Sequence, residues 1–282
     1  MANLNCSSPM AADPIGKSYL GNLGLQLWTV RHELEKDIPG TLRAVQTAGY
    51  AQIELMNLVS ARDLVSPARE LGLRITSAFL DWNLLMPPAA HVAALAESVQ
   101  LGRELGLKYL VFGYIGKGLR ETVAQMRGHA AAANALGRQC RDAGIQLCYH
   151  HHSFEFGPLD DGRTTGWDIF VHEFDRDLVQ FELDVFWAAI GGHDPVQLLQ
   201  DLRGRVAQVH LKDLAAGTPR CWDETAVAPE AFRELGRGGL DLQRIIGVCT
   251  ATSVDQCHVE QDQSPDPLAS IATSVNFLRR RA

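Results

Sequence analysis

Ile145-Gln146-Leu147-Cys148-Tyr149-His150-His151-His152-Ser153-Phe154-Glu155-Phe156 lies near the middle of the chain, and its reading decides the fold. An apolar run, Ile145 to Cys148, leads directly into three histidines and a glutamate. Such residues are costly to bury unless they are paired or bound to a metal. A strand ending in them reads as the floor of a site. Three later segments share the design: Val179–Asp184, Val206–Leu211 with Lys212 behind it, and Cys257–Glu260.

On both sides of this stretch one pattern repeats: a short apolar run, a polar turn, an amphipathic helical stretch. The runs are Leu23–Trp28, Gln52–Leu55, Leu73–Ala78, Tyr109–Phe112, Ile145–Cys148, Val179–Asp184, Val206–Leu211 and Cys257–Glu260. The helical stretches are Ile38–Ala48, Ala61–Leu71, Pro88–Leu105, Thr122–Ala143, Trp167–Phe174, Pro195–Leu202, Leu240–Cys249 and Leu268–Arg280. Gly49, Gly72, Gly106 and Gly144 stand where helices give way to strands, as C-capping glycines do. Asp194-Pro195 supplies a cap followed by proline at the first helical position. Strands alternating with helices imply parallel βαβ units, and eight of them close into a (β/α)8 TIM barrel of the α/β class. An open doubly wound sheet fits less well, because no GxGxxG follows Trp28. Residues 1–18 read as a loose arm and 19–282 as one barrel domain. Asp213–Gly239 is too long for a simple βα loop and is expected over the barrel top.

Side chains alternate across a strand. One parity gives Gln26 and Trp28; Gln52 and Glu54; Gln146, Cys148 and His150; Gln180, Glu182 and Asp184; Gln208, His210 and Lys212; His258 and Glu260. The other parity is apolar and is expected to pack on the helices. The polar parity then points inward and rings the C-terminal mouth, where this fold carries its sites. The best metal set is Glu155, Asp184, His210 and Glu260. Three carboxylates and an imidazole favour Mn²⁺ or Mg²⁺, with Co²⁺ or Zn²⁺ also compatible, and disfavour a thiolate zinc site. Two open positions on an octahedral ion suit the adjacent hydroxyl and carbonyl oxygens of a sugar, through an enediolate. A neighbouring carboxylate moves the proton beside that carbonyl. His150 and His152 read as ligands, substrate donors or supporting groups, and His151, of opposite parity, as structural. Gln26, Glu54, Lys212 and Trp187 complete the expected substrate-binding set, with Trp28 and Trp82 as further candidates for an apolar wall.

Bulk properties narrow the partners. The net charge of −7 with no basic block argues against nucleic acid. No apolar run approaches the roughly 20 residues needed to span a bilayer. Six cysteines without CxxC spacing read as reduced core thiols, and with no signal-like start the expected setting is cytoplasmic. The expected partner is a small carbohydrate, and the expected assembly a homo-oligomer, dimer or tetramer.

Gly24–Arg31, Gly49–Glu54, Tyr149–Phe156, Leu183–Trp187, Val209–Asp213 and Val259–Asp262 together resemble the sugar phosphate isomerase/epimerase family, the xylose isomerase-like barrels. The resemblance covers nearly the whole chain. It implies a divalent metal on Glu155, with His152 as the alternative strand-five ligand, Asp184, His210 and Glu260, and proton exchange by Glu155 and Glu260, as in ketose epimerases. Related sequences include inosose dehydratases and lyases of 3-keto-glycosides. Two departures count against a plain epimerase of free ketoses. Phe79 stands where many relatives have histidine, and Trp187 stands where ketose epimerases often do. Dehydration or β-elimination is therefore the alternative. A DNA-repair endonuclease would want a basic surface, and a non-catalytic binding barrel would be expected to lose ligands.

Overall fold

The computed structural model describes residues 19, 21–81, 84 and 88–281. The expected arm, residues 1–18, and Trp82 lie outside the described residues. Eight parallel strands form the closed barrel: β1 (Gly24–Gln26), β2 (Gln52–Leu55), β3 (Arg74–Phe79), β4 (Tyr109–Phe112), β5 (Gln146–His150), β6 (Val179–Asp184), β7 (Val206–Leu211) and β8 (Gln256–Val259). Each strand pairs with its sequence neighbours, and β1 closes the ring on β8 through Gly24↔His258 and Leu25↔Val259.

The alternation sorts the side chains as the sequence requires. Leu25, Ile53, Leu147, Phe181, Leu183, Val209 and Val259 are buried in the main core, between the barrel and the helices. Inside the barrel, Tyr109, Val111 and Cys148 form a separate small apolar cluster. Glu54, Glu182, Gln208, His210 and His258 are buried polar residues of the inward parity. The helices fit local chemistry. Thr122 caps Val123–Asp142 in a reciprocal pair with Gln125, and Asp194 caps Pro195–Asp201. At the ends of Ile38–Ala48 and Val92–Leu105 the chain turns through Gly49 and Gly106 at φ 110° and 74°, a region that favours glycine.

Three joints near the mouth differ from the expected pattern. The first strand stops at Gln26, because Leu27–Val30 is a 3₁₀ turn that Gln26 caps with its own side chain. The fifth runs on to His150, and the chain then leaves strand geometry before the short 3₁₀ turn Phe154–Phe156. After the sixth, a short helix, Val185–Ile190, starts immediately on Asp184.

The long segment after β7 is tied down at several points. The buried Asp213 carboxylate accepts hydrogen bonds from the backbone N–H groups of Leu214, Gly236, Gly238 and Leu240. Asp213–Leu214 pairs antiparallel with Phe232–Arg233. Further out, Glu224 accepts two hydrogen bonds from Arg120 at 2.7 and 2.8 Å and one from the Tyr114 hydroxyl. Asp223 meets Lys117 at 2.9 Å. The segment thus reaches across to the loop that follows β4. Among the described residues no helix is long and apolar enough to cross a membrane.

Candidate metal centre and active site

Four strand ends converge at the mouth of the barrel. One ligand atom each from His150, Asp184, His210 and Glu260 lies within 4.8 Å of the others, and all four residues are buried. His210 Nδ1 is 2.8 Å from Glu260 Oε2 and 3.8 Å from Asp184 Oδ2. His150 Nε2 is 3.3 Å from Asp184 Oδ2, and its Nδ1 has no hydrogen-bond partner among the described residues. The two Asp184 oxygens have separate tasks. Oδ1 accepts from the backbone N–H groups of Phe186 and Trp187, capping the helix, while Oδ2 faces the cluster.

Lys212 brings the balancing charge. Its buried Nζ lies 3.0 Å from Asp184, 2.7 Å from Glu260 and 2.7 Å from Asp262. Burial opposes ionisation of Asp184 and Glu260, but the Lys212 ammonium and the neighbouring histidines outweigh it. Asp184 is held well below the usual carboxylate range, and Glu260 at about 2. Asp262 goes the other way: burial outweighs Lys212 and raises it to about 6. Two imidazoles and two carboxylates on a common centre form a donor set that suits a divalent first-row cation.

A cavity of about 630 Å³ opens above this floor, lined among others by Gln26, Trp28, Phe79, Tyr114, His150, His152, Lys212, Glu260 and Asp262. That volume is in the ordinary range for small-molecule pockets. Trp28 is 37% exposed at its rim, with the Arg31 guanidinium over the ring at 4.4 Å. Phe79 packs edge-on to His150, with ring centres 5.4 Å apart, and forms apolar wall.

The structure does not bring every expected residue to this floor. Glu155 is buried, but its carboxylate accepts from the Tyr149 hydroxyl at 2.7 Å and the His152 N–H at 2.9 Å. Tyr149 belongs to the outward parity and packs on Phe170 and Phe174. Strand parity ends at His150, so the chain beyond it carries Glu155 to the helix side. Burial then pushes that carboxyl up to about 7, against the pull of its two hydrogen bonds. Trp187 lies behind the wall, against Phe186 and Phe232 and 5.2 Å from the His152 ring. Glu54 sits deeper, accepting from Gln26, Ser77 and His210. His151 joins two strand ends: its Nδ1 donates to the His152 carbonyl and its Nε2 accepts from the Asp184 N–H. Burial drives its pKa down to about 4 and keeps it neutral. His152 lines the cavity, and burial lowers its pKa well below the usual imidazole value.

Asp262 and Tyr114 are the site residues that sequence reasoning left out. Asp262 sits beyond the end of β8, where alternation gives no direction. Tyr114 reaches the cavity from the loop after β4, which shows no periodic pattern.

Fold and mouth together define a closed (β/α)8 barrel with a polar site at its C-terminal end, and direct comparison gives the family. The chain belongs to the xylose isomerase-like TIM barrel family, whose model matches residues 42–281. It is 26% identical over 165 residues to an inosose dehydratase of Clostridium botulinum, covering 54% of this chain and 53% of that protein. The chain thus matches about half the length of that curated relative. A sugar phosphate isomerase/epimerase structure from Parabacteroides distasonis aligns with a TM-score of 0.76 at 21% identity, over 91% of this chain and 97% of that one. A probable 3-DHS dehydratase from Bacillus anthracis aligns with a TM-score of 0.70 at 15% identity, over 93% and 100%. At these identities the structural likeness speaks for the fold alone.

Proposed function

We propose that this protein is a divalent-metal-dependent enzyme that moves a proton at the carbon beside the carbonyl of a sugar or cyclitol, giving isomerisation or epimerisation. The observation that carries this reading is the convergence of His150, Asp184, His210 and Glu260, two of which, His150 and Glu260, line the cavity. In this reading His150, not Glu155 or His152, is the strand-five ligand, beside Asp184, His210 and Glu260. A set of two nitrogens and two oxygens favours Mn²⁺, Zn²⁺ or Co²⁺ over Mg²⁺. When bound, the ion supplies Lewis-acid polarisation of the substrate carbonyl.

The side chains around it do the rest. Glu260 faces the cavity and is the proton-transfer carboxylate, while Lys212, shared with Asp262, steadies charge that builds on a substrate oxygen. His152 presents a neutral imidazole whose Nδ1 has no hydrogen-bond partner among the described residues, suited to binding a hydroxyl. Gln26 and Trp28 form the opposite wall. A second reading, dehydration, is favoured by the match to the inosose dehydratase, and it uses the same proton abstraction followed by loss of a hydroxyl.

Metal analysis of wild type and Asp184→Asn tests the centre. Asparagine keeps the helix cap but not the charge, so the variant is expected to fold and to lose the ion. Keto-sugars and inososes incubated with the metal-loaded protein in D₂O test the chemistry. Solvent deuterium should enter the carbon beside the carbonyl, with product mass otherwise unchanged for isomerisation and one water lower for dehydration. A metal-loaded protein that exchanges no deuterium across that panel would sink the enzyme reading.

A further inference from the structure

Directly beneath the four-ligand floor lies a second buried layer that the proposed chemistry does not use. Glu182 stands two residues before Asp184 on β6, and His258 two before Glu260 on β8, so both share the inward parity one step deeper. Glu54 enters from β2. All three are fully buried, as is His210, whose Nε2 reaches down into this layer.

We propose that Glu182, His258 and Glu54 form a second divalent-cation site, closed to solvent and separate from the one above. The first support is the set of polar atoms without partners. Both oxygens of Glu182 and both ring nitrogens of His258 make no hydrogen bond among the described residues. Gln208, which pairs with Glu182 across the β6–β7 register, gives its amide N–H to Ser77 and leaves its oxygen without a partner too. Buried polar atoms left without hydrogen bonds are costly, and a metal ion is a standard remedy. Glu54 contrasts with them, since three side chains already serve its oxygens.

The spacing is the second support. His258 Nδ1 lies 3.8 Å from Glu54 Oε1 and 3.8 Å from Glu182 Oε1, and His210 Nε2 lies 3.3 Å from Glu182 Oε1. The 3.8 Å separations are too long for hydrogen bonds. They are near the ~3.3–3.5 Å that separates ligand atoms around a tetrahedral ion with bonds of ~2.0–2.1 Å. Charge points the same way. Two carboxylates share this layer, and among the described residues no lysine or arginine pairs with them. A 2+ ion balances the pair. The chain also makes room for His258: a Cβ on Gly24, its partner in the barrel register, would collide with the imidazole. Imidazole nitrogen and carboxylate oxygen are both donors that Zn²⁺ accepts. Its role would be to fix Glu54 and, through the 2.7 Å contact, the ring of His210.

The test is metal stoichiometry on the full chain produced with added Zn²⁺. About two equivalents per chain are expected, of which EDTA removes the upper one and leaves the deep one in place until the chain is unfolded. Glu182→Gln and His258→Gln should each lose the retained equivalent alone, and Asp184→Asn the exchangeable one alone. Diffraction at the zinc edge should show a peak between Glu182 and His258, and this readout stands even where a variant fails to fold. A wild type with no EDTA-resistant zinc and no peak there overturns the deep site. Loss of the exchangeable equivalent in Asp184→Asn is a separate result, so either site can fail without the other.

Discussion

Glu155 shows how strongly one side chain's surroundings can redirect it. Its carboxyl titrates near 4.5 when exposed and at about 7 in the fold, so the native state holds a proton that the unfolded chain releases. The stability it contributes is complete below 4.5 and is lost as the pH rises through about 7. Glutamine can still accept from the His152 N–H and can donate to the Tyr149 oxygen. Between about pH 4.5 and pH 8, urea unfolding should therefore show Glu155→Gln gaining on wild type by up to ~3 kcal/mol. A difference that stays flat with pH would mean the carboxyl is not buried as described. The same variant is expected to keep its metal, which a ligand would not. The sequence pointed to Asp184, His210 and Glu260 because they lie on or beside strands, where alternation dictates direction. It could not direct Glu155, which sits beyond the strand, after a turn whose course depends on the Tyr149 hydroxyl. It also gave Glu182 and His258 the correct inward parity, but whether partners reach them depends on the stagger of strands across the barrel, which no local pattern encodes.

At the level of elements, the strands and helices were legible and their joints were not. Val179–Asp184 and Val206–Leu211 match residue for residue, since an apolar alternation fixes both ends. The segment after β7 has no such pattern, and its path follows from distant partners. Asp213 gathers four backbone donors at its root, and the buried Arg120–Glu224 pair clasps its outer part to the loop after β4. Each of these two side chains is 7% exposed, so removing one strands a charge that water cannot reach. Glu224→Ala should therefore cost ~3–5 kcal/mol. Hydrogen exchange should rise chiefly in residues 213–239 and 113–121, leaving the barrel strands protected. Uniform loss of protection would show that the clasp supports the whole fold, not the segment.

At the scale of the molecule, barrel and site are one object. Four strand ends each bring a candidate ligand to the mouth, so an ion bound there would link segments from residue 150 to residue 260. Ligand present at about a hundredfold above its dissociation constant stabilises by ~2.7 kcal/mol. For a chain of this length that amounts to a shift of ~5 °C in melting temperature. Calorimetry should show that drop when the upper ion is chelated, and none for Asp184→Asn, which should melt like the stripped protein. If both melt alike with and without metal, the ion does not join the strands.

Asp184 gives one oxygen to the start of a helix and the other to the candidate metal centre. Sequence drift at this joint therefore faces a double veto. Asparagine and serine satisfy the helix and fail the ion, while glutamate keeps the charge but is too long to cap well. Aspartate alone passes both tests, so reading that single position in a relative would report whether its strand-to-helix corner and its metal chemistry have been kept together or given up together.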